Sequence, residues 1–179
     1  IATGGTVDFV RWMLPLQRLV FGTDGCEATA RASTFDEPLT PTNIGVKDAS
    51  NLGVAAVSPA QMDGRGIFVQ RSGVQVYEIL YSIERQDYVS SELTGLNEDI
   101  GGDGLLELAV QREPEPYVWM VRDDGECPIL LYDPSEKVAG FIRYIAAPSI
   151  AADATVESVA VLPGTTQSIV YLCVKRTIN

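Results

Sequence analysis

The sequence predicts an all-β fold, a propeller-like repeat of antiparallel meander blades, with a β-sandwich as the alternative. Three observations predict it. A pattern of two strands closed by a Gly turn recurs about every fifty residues, the spacing of propeller blades. Two strands in the middle of these repeats are apolar at consecutive positions. No segment sustains the 3.6-residue period of an amphipathic helix.

The repeat has four copies, and the last one is incomplete. Each copy begins with a strand rich in Val, Leu and Ala, continues through a proline-containing connection, and ends in a second strand of β-branched and aromatic residues. We expect the repeats to span about 5–50, 51–102, 103–153 and 154–179. The prolines of the four connections are Pro15, Pro59, Pro114 and Pro163.

The first three copies end in a glycine turn. The turn residues are Gly25, Gly73 and Gly125, which lie 48 and 52 residues apart. Asp-Gly between two apolar runs favours a tight hairpin, because glycine accepts the positive φ that such a turn requires. We therefore predict that the three glycines occupy equivalent hairpin turns.

Third and fourth strands follow these turns. The third strands are predicted in CEATARA from Cys26, VQVYEILY from Val74 and CPILLYD from Cys127. Fourth strands are predicted in DYVSSEL from Asp87 and KVAGFIRY from Lys137. Each repeat is thus expected to approach a four-stranded meander.

Two central strands have no polar face. VWMV at 118–121 and IVYLCV at 169–174 are apolar at every position. An antiparallel strand with one face in water alternates between apolar and polar residues, so these runs predict that both faces are covered. Radially packed blades, or the middle layer of a sandwich, would cover them.

The composition is that of one folded β-domain. The chain has 179 residues, 46% hydrophobic residues and a mean hydropathy of +0.10, enough for a sizeable core. We expect a single domain over 1–179 that is part of a longer polypeptide, because the fourth repeat lacks its outer strands. No signal peptide and no run long enough to span a membrane is recognisable in the sequence.

Charge and residue types exclude several classes of function. With 24 acidic and 13 basic residues the net charge is -11, which argues against a sequence-independent grip on nucleic acid phosphates. Histidine is absent, and this excludes Ser-His-Asp and Cys-His catalysis and histidine-ligated metals. The three cysteines form no CxxC pair and are expected to be reduced thiols, as in a protein synthesised inside a cell.

Two acidic features could carry chemistry. Asp24 and Asp124 could form a carboxylate pair for glycoside hydrolysis, but the turn alone explains aspartate at these positions, and we prefer that interpretation. The loop NEDIGGDG at 97–104 could offer oxygen ligands to Ca²⁺. It lacks the ligand spacing of an EF-hand, so a connection between repeats is favoured and calcium stays open.

Basic and aromatic residues give two further candidates. Arg71, Arg122 and Lys175 occur at equivalent places near the hairpin turns, either as a basic rim or as solvated strand ends. Trp12 and Trp119 could stack on a ligand, but tryptophan in an apolar strand usually belongs to the core. No residue is predicted to be catalytic, cofactor-binding or metal-binding, and we predict neither an enzyme nor a cofactor.

The order of strand motifs resembles that of a family of bacteriophage tail proteins. The family comprises the nozzle-like or tubular tail proteins of short-tailed phages and their prophage relatives. The resemblance covers nearly the whole chain. It is carried by the segments FVRWMLPLQRLVFGTDG, PLTPTNIGVKDASNLGVAAVSP, GRGIFVQRSGVQVYEILYSIERQDYVSSELT, VWMVRDDGECPILLYDPSEKVAGFIRY, VESVAVLPG and VYLCVKRTIN.

The resemblance implies a structural protein of the virion tail, assembled in the cytoplasm of the bacterial host. Members of that family form rings, typically hexamers, around the channel through which the genome leaves, and they contact other tail or adaptor proteins. An acidic channel wall repels phosphate, so that DNA can slide past it. The alternative is a glycan- or receptor-binding β-module of a phage or cell surface, and a glycosidase is the third hypothesis.

Overall fold

The protein is all-β. The computed structural model describes residues 8–32, 34, 37–136, 138–146 and 154–176. These residues form fourteen strands in four antiparallel sheets, of four, four, four and two strands. One turn of 3-10 helix, Glu98–Ile100, precedes the third sheet.

In every sheet the strands pair in the order in which they occur in the sequence, as in a meander. The first sheet consists of β1 (Val10–Pro15), β2 (Leu19–Thr23), β3 (Glu27–Ala32) and β4 (Ile44–Ser50). The second consists of β5 (Ala60–Met62), β6 (Arg65–Val69), β7 (Val76–Ser82) and β8 (Asp87–Glu92). The third consists of β9 (Leu105–Gln111), β10 (Tyr117–Arg122), β11 (Cys127–Asp133) and β12 (Val138–Tyr144). The fourth consists of β13 (Ala154–Leu162) and β14 (Ile169–Arg176).

The chain divides into two compact units. The first contains the first two sheets and comprises Ile1–Ser72 and Val76–Glu92. The second contains the third and fourth sheets and comprises Gly73–Gln75 and Leu93–Asn179. Each sheet falls inside one of the four repeats expected from the sequence. The organisation as one domain of a longer protein stays a prediction.

The core of the first unit lies between its two sheets. Trp12 and Phe68 come from different sheets, and their ring centroids are 5.6 Å apart. Burying such large apolar groups is the main favourable term for a β-fold of this kind. The buried residues of this cluster are Trp12, Leu14, Val20, Val54, Phe68, Ile79 and Tyr88.

The second unit has a core of the same design. Val121 and Cys127 from the third sheet pack against Val156 and Val159 of β13. Burial raises the pKa of the Cys127 thiol to about 11, so this cysteine stays protonated and inert at neutral pH. Each pair of sheets therefore shares one apolar interface.

The three predicted turn glycines each join the second strand of a sheet to its third strand, as expected. Gly73 and Gly125 both have φ +83°. The physical reason given for Gly25 was wrong, because its φ is not positive. There the Thr23 hydroxyl accepts hydrogen bonds from the backbone N–H groups of Gly25 (3.3 Å) and Cys26 (3.0 Å), and so closes the turn.

The predicted connection of the second repeat was wrong. Pro59 lies before β5 instead of between the first and second strands. The chain turns at Asp63 and Gly64, which have φ +47° and +75°. Two successive positive φ values are the mark of a type I′ hairpin, which needs only two residues. Val54 bridges Gln70, so the first strand of this sheet is interrupted before the proline.

The two fully apolar strands differ in their surroundings. β10 is covered on both faces, as predicted, because buried residues occur at consecutive positions along it. β14 is not: its residues alternate between exposed and half-buried along the strand. We predicted that both faces of β14 are covered, but none of the residues that the structure describes covers the exposed face.

No helix among the described residues is long and apolar enough to cross a membrane.

Candidate functional site

The two turn aspartates act as structural residues. Asp24 Oδ1 lies 2.5 Å from Arg11 Nε, and Asp24 Oδ2 accepts a second bond of 3.2 Å from Arg11 Nη2. Asp124 pairs with Arg122, and its Oδ1 accepts a 3.0 Å bond from the backbone N–H of Glu126. The two carboxylates belong to different units. Asp24 ties its turn to β1, and Asp124 caps the turn between β10 and β11.

Arginine–carboxylate pairs occur in each of the three four-stranded sheets, at different places in the sheet. The first sheet has Arg11 with the turn residue Asp24. In the second sheet, Arg65 Nη1 lies 2.9 Å from Glu78 Oε2 on the third strand. The third sheet uses one arginine and two carboxylates of the turn. The three sets are Arg11 with Asp24, Arg65 with Glu78, and Arg122 with Asp124 and Glu126.

Arg122 is neither a basic rim nor a solvated strand end, so both interpretations of it were wrong. Its side chain is only 9% exposed, and Nη1 lies 2.9 Å from Glu126 Oε2. A guanidinium at this depth needs its anionic partners, since an unpaired buried charge is costly. Arg71 and Lys175 are exposed, as a charged strand end should be. The spacing in the sequence placed Arg71, Arg122 and Lys175 at equivalent positions. It could not show that the side chain of Arg122 is buried.

The acidic loop at 97–104 is tied to the third sheet. Asp99 pairs with Arg143 of β12, and the backbone oxygen of Asp99 accepts a bond of 3.4 Å from Arg122. A side chain at Gly101 would place its Cβ 1.8 Å from the backbone oxygen of Val74, so only glycine fits there. No group of three or more acidic or cysteine side chains placed to hold a metal ion occurs among the described residues.

Both tryptophans belong to the core. Trp12 is 7% exposed. Trp119 is half-buried, donates from Nε1 to Gln111 Oε1 over 2.9 Å, and meets the ring of Tyr144 edge-on at 6.2 Å. Neither ring offers an open face of the kind that stacks on a sugar or a base.

A cleft of about 450 Å³ lies at one end of the first sheet. Arg18 and Arg31 line it together with Glu37. No aromatic side chain is found among its described lining residues, and this is unlike a sugar-stacking site. Arg18 is also committed elsewhere, since it lies over the ring of Tyr81 at 4.9 Å.

The fourth sheet has exposed apolar side chains on one face. Leu162 pairs with Ile169 and Ala160 pairs with Tyr171 across the two strands. Leu162 is 54% exposed and Tyr171 is 53% exposed. We define the β14 surface as this exposed face together with the exposed side chains that follow on that strand. Its residues are Ala160, Leu162, Ile169, Tyr171, Cys173, Lys175 and Arg176.

Comparison with known proteins does not assign the chain to a family. No family model matches it, and no curated protein is significantly similar to it.

One buried acid was missed by sequence reasoning. Glu27 at the start of β3 is completely buried, and burial raises its pKa to about 7. Its Oε2 accepts a hydrogen bond from the Ser50 hydroxyl, and the backbone N–H groups of Leu52 and Gly53 also point to the carboxyl. Oε1 has no hydrogen-bond partner. The signal that could have found it is a glutamate next to alanines at the start of the predicted strand CEATARA.

A polar cluster holds the two sheets of the first unit together. Asp87 of β8 pairs with Lys47 of β4, and Arg18 Nη1 lies 3.9 Å from Asp87 Oδ1. Burial acts to raise the pKa of Asp87, but the Lys47 bond, the Tyr88 N–H and Arg18 lower it below its usual value. The backbone N–H of Arg18 donates to the Tyr88 hydroxyl over 3.1 Å. These contacts satisfy one another and leave no free group for catalysis.

Proposed function

We propose that this protein is a structural component of a phage tail, in the nozzle or tube, and that it contributes to tail assembly and to the channel for genome ejection. The observation that carries the proposal is the repetition of antiparallel meander sheets, in which arginines and carboxylates pair with one another inside the sheet. A scaffold of this kind acts through its surfaces. The resemblance of the strand motifs to tubular tail proteins supplies the biological setting.

We also propose that the sheets are blades of a propeller-like arrangement. The support is a contact that recurs inside each unit. The backbone N–H of Val54 donates to the Thr23 oxygen over 2.9 Å, and that of Val156 donates to the Gly125 oxygen over 2.9 Å. In both cases the later sheet begins on the second-to-third hairpin of the earlier one. Repeating this step from sheet to sheet is how blades are arrayed around an axis.

The charge of the protein suits a channel wall. A net charge of -11 repels the DNA backbone, which carries one negative charge per phosphate. A wall that bound phosphate would slow the passage of the genome. Assembly into a ring, with six copies as the first candidate, would place this charge around the channel, next to other tail or adaptor proteins in the virion.

The mass of the assembled protein tests this proposal. The full chain should be measured by native mass spectrometry and by light scattering after size exclusion. We expect a closed ring whose mass is a whole multiple of the 19.3 kDa chain, with six as the first candidate. The same preparation should be applied to a glycan array, where we expect no binding.

A strictly monomeric protein that binds a defined sugar would contradict the tail function and support a receptor-binding module. A monomer at high dilution that assembles as the concentration rises would still agree with a ring, because oligomer formation follows mass action.

A further inference from the structure

The connection 50–54 leads from the last strand of the first sheet to the start of the second sheet, and we call it, with its contacts, the joint of the first unit. We propose that Glu27 is a pH-sensitive switch at this joint. While its carboxyl is protonated the joint stays closed, and loss of the proton opens the joint while both sheets stay folded. All the contacts involved lie within the first unit, and the proposal does not depend on a role in a phage tail.

The joint is held by a few backbone contacts to both sheets. The Val54 N–H donates to the Thr23 oxygen over 2.9 Å, and the Arg71 N–H donates to the Gly53 oxygen over 3.1 Å. Gly53 has φ +72°, and a Cβ there would lie 2.3 Å from the backbone oxygen of Asp24. Residues 51–53 belong to no strand, so this segment can move without unpairing a ladder.

The carboxyl of Glu27 is bonded to the joint itself. Its side chain is completely buried, and Oε2 accepts a hydrogen bond from the Ser50 hydroxyl. The backbone N–H groups of Leu52 and Gly53 also point to the carboxyl. Oε1 has no hydrogen-bond partner. The segment that covers Glu27 is therefore the segment that must move before water can reach Oε1.

Ionisation of Glu27 works against the closed joint. A buried carboxylate is costly unless donors or a cation satisfy both of its oxygens. In the described part of the chain no lysine or arginine pairs with Glu27. Burial raises its pKa to about 7, and the backbone hydrogen bonds, which act in the opposite direction, do not compensate. An open joint would hydrate the carboxylate and remove this cost.

The surrounding groups do not replace the missing cation. Burial first, and then nearby carboxylates that include Glu27, raise the pKa values of Cys26 and Tyr77, so both side chains are neutral near pH 7. Arg71 is exposed, and its Nη1 donates to a backbone oxygen of the first-sheet turn over 3.4 Å. The charged and titratable groups next to Glu27 and the joint are Asp8, Asp24, Cys26, Asp48, Arg71 and Tyr77.

The second unit has a corresponding joint without the acid. Cys127 takes the place of Glu27, since each is the first residue of a third strand and each is completely buried. The Val156 N–H donates to the Gly125 oxygen over 2.9 Å, as the Val54 N–H does to its own partner. Burial raises the pKa of the Cys127 thiol to about 11, so this thiol keeps its proton near pH 7. Only the first joint should therefore respond to pH.

Amide hydrogen exchange of the full chain, followed by NMR between about pH 5 and pH 8, compares the two joints. Each rate is divided by the intrinsic rate of that amide at the same pH, which gives a protection factor. We expect protection of Val54 to fall by at least about tenfold across this range, because the open joint releases the Glu27 proton. Protection of Val156 should stay constant.

A third amide distinguishes opening of the joint from unfolding. Val20 lies on β2, which is paired on both edges, and it reports unfolding of the first unit. Val54 should be less protected than Val20 at every pH. About 1 M urea should accelerate exchange of Val20 but not of Val54, because a local opening exposes little surface.

Two variants assign the effect to one carboxyl. Glu27→Gln should make the protection of Val54 independent of pH, because an amide does not ionise. The control is Asp48→Asn, which removes an exposed carboxyl from the neighbouring strand β4 and should keep the pH dependence. If Glu27→Gln does not fold, the comparison of Val54 with Val156 in the unchanged protein decides.

Four outcomes would overturn the proposal. Two concern pH: protection of Val54 that does not change between about pH 5 and pH 8, or an equal fall at Val156. The third is equal protection and an equal urea response at Val54 and Val20, which would mean that the joint opens only when the whole unit unfolds. The fourth is a pH dependence of Val54 that persists in the Glu27→Gln variant.

Discussion

Glu27 is a carboxyl group with no exposed surface and one unpartnered oxygen, and it makes the stability of the protein depend on pH. Its pKa is about 7 in the folded protein, against an ordinary value of 4.5. The folded state therefore holds this proton more tightly than the unfolded chain does. The contribution of Glu27 to the free energy of unfolding is fully present below about pH 4.5, and it is lost as the pH rises to about 7.

The change Glu27→Gln should remove this dependence. At pH 8 we expect the variant to be more stable than the unchanged protein by up to about 3 kcal/mol, because an amide is not ionised there. Near pH 4.5 the two should have similar stability. Urea unfolding at several pH values measures both free energies of unfolding.

The control is Glu84→Gln, at an exposed position, which should keep the pH profile of the unchanged protein. A Glu27→Gln profile parallel to that of the unchanged protein would show that Glu27 titrates normally. Ser50 would then not be holding a neutral acid.

Gly125 and Gly73 have the same φ of +83° but different surroundings, and this difference can be measured. A Cβ at Gly125 would lie 2.4 Å from Thr155 Cβ, whereas nothing lies within 4 Å at Gly73. Gly73→Ala should cost roughly 1 to 2 kcal/mol from the left-handed backbone alone. Gly125→Ala should cost more, since it adds a steric overlap between two sheets.

Thermal unfolding of the two variants provides the comparison. Gly140→Ala is the reference, because Gly140 has an ordinary φ and open space around it, and alanine there should be neutral or slightly stabilising. Equal losses at Gly73 and Gly125 would mean that Thr155 moves aside without cost.

At the scale of the hairpin, burial decides what an ion pair contributes. Arg122 is 9% exposed and holds two carboxylates, whereas Arg11 is 39% exposed and holds one. Arg122→Met should destabilise the protein by about 2 kcal/mol, because two anions lose their partner at a covered site. Arg11→Met should have a much smaller effect, as exposed ion pairs usually do.

Chemical denaturation at low and high salt would measure this difference. Salt should reduce the already small contribution of Arg11 more than that of Arg122, because screening acts mainly on exposed charges. If the two variants lose the same stability, the Arg122 contacts do not exceed those of an ordinary surface pair.

Strand positions were predictable where the residues carried a pattern of their own. β11 and the third-sheet turn followed from apolar runs around Asp-Gly. β4 was not predicted, because IGVKDAS has no alternation and none of its residues is buried. That strand forms because it completes the ladder of β3, and pairing of this kind does not appear in the local sequence.

The first strand of the second sheet shows a different limit. The sequence contains Pro59 where the other repeats have a connection, and the pattern therefore suggested the same role. A two-residue turn at Asp63 and Gly64 made a longer connection unnecessary. The exposed apolar face of β14 could not be predicted from the sequence either. A run of apolar residues does not show which face of the strand is covered in the fold.

For the whole molecule, the excess of acidic residues predicts that the protein does not bind DNA. With 24 acidic and 13 basic residues, the chain should not bind a duplex of about 30 base pairs even at about 50 mM salt, where electrostatic attraction is strongest. Fluorescence anisotropy with a labelled duplex measures this. The control is the same assay in the presence of a basic DNA-binding protein.

Binding that weakens steeply as salt is added would contradict this prediction. It would mean that basic side chains such as those at the end of β14 form a phosphate-binding patch in spite of the net charge. The passage of DNA along a repelling wall would then need another explanation.

We expect the cations at the end of β14, Lys175 and Arg176, to act against self-aggregation. A strand edge that none of the described residues pairs with, beside exposed Ile169 and Tyr171, is the kind of template on which further copies can stack. In a parallel, in-register stack Lys175 would lie beside Lys175 of the next copy, and like charges at that spacing repel. We therefore expect Lys175 and Arg176 to oppose fibril growth. Concentrated preparations of the protein should stay clear longest at low ionic strength, where this repulsion is least screened.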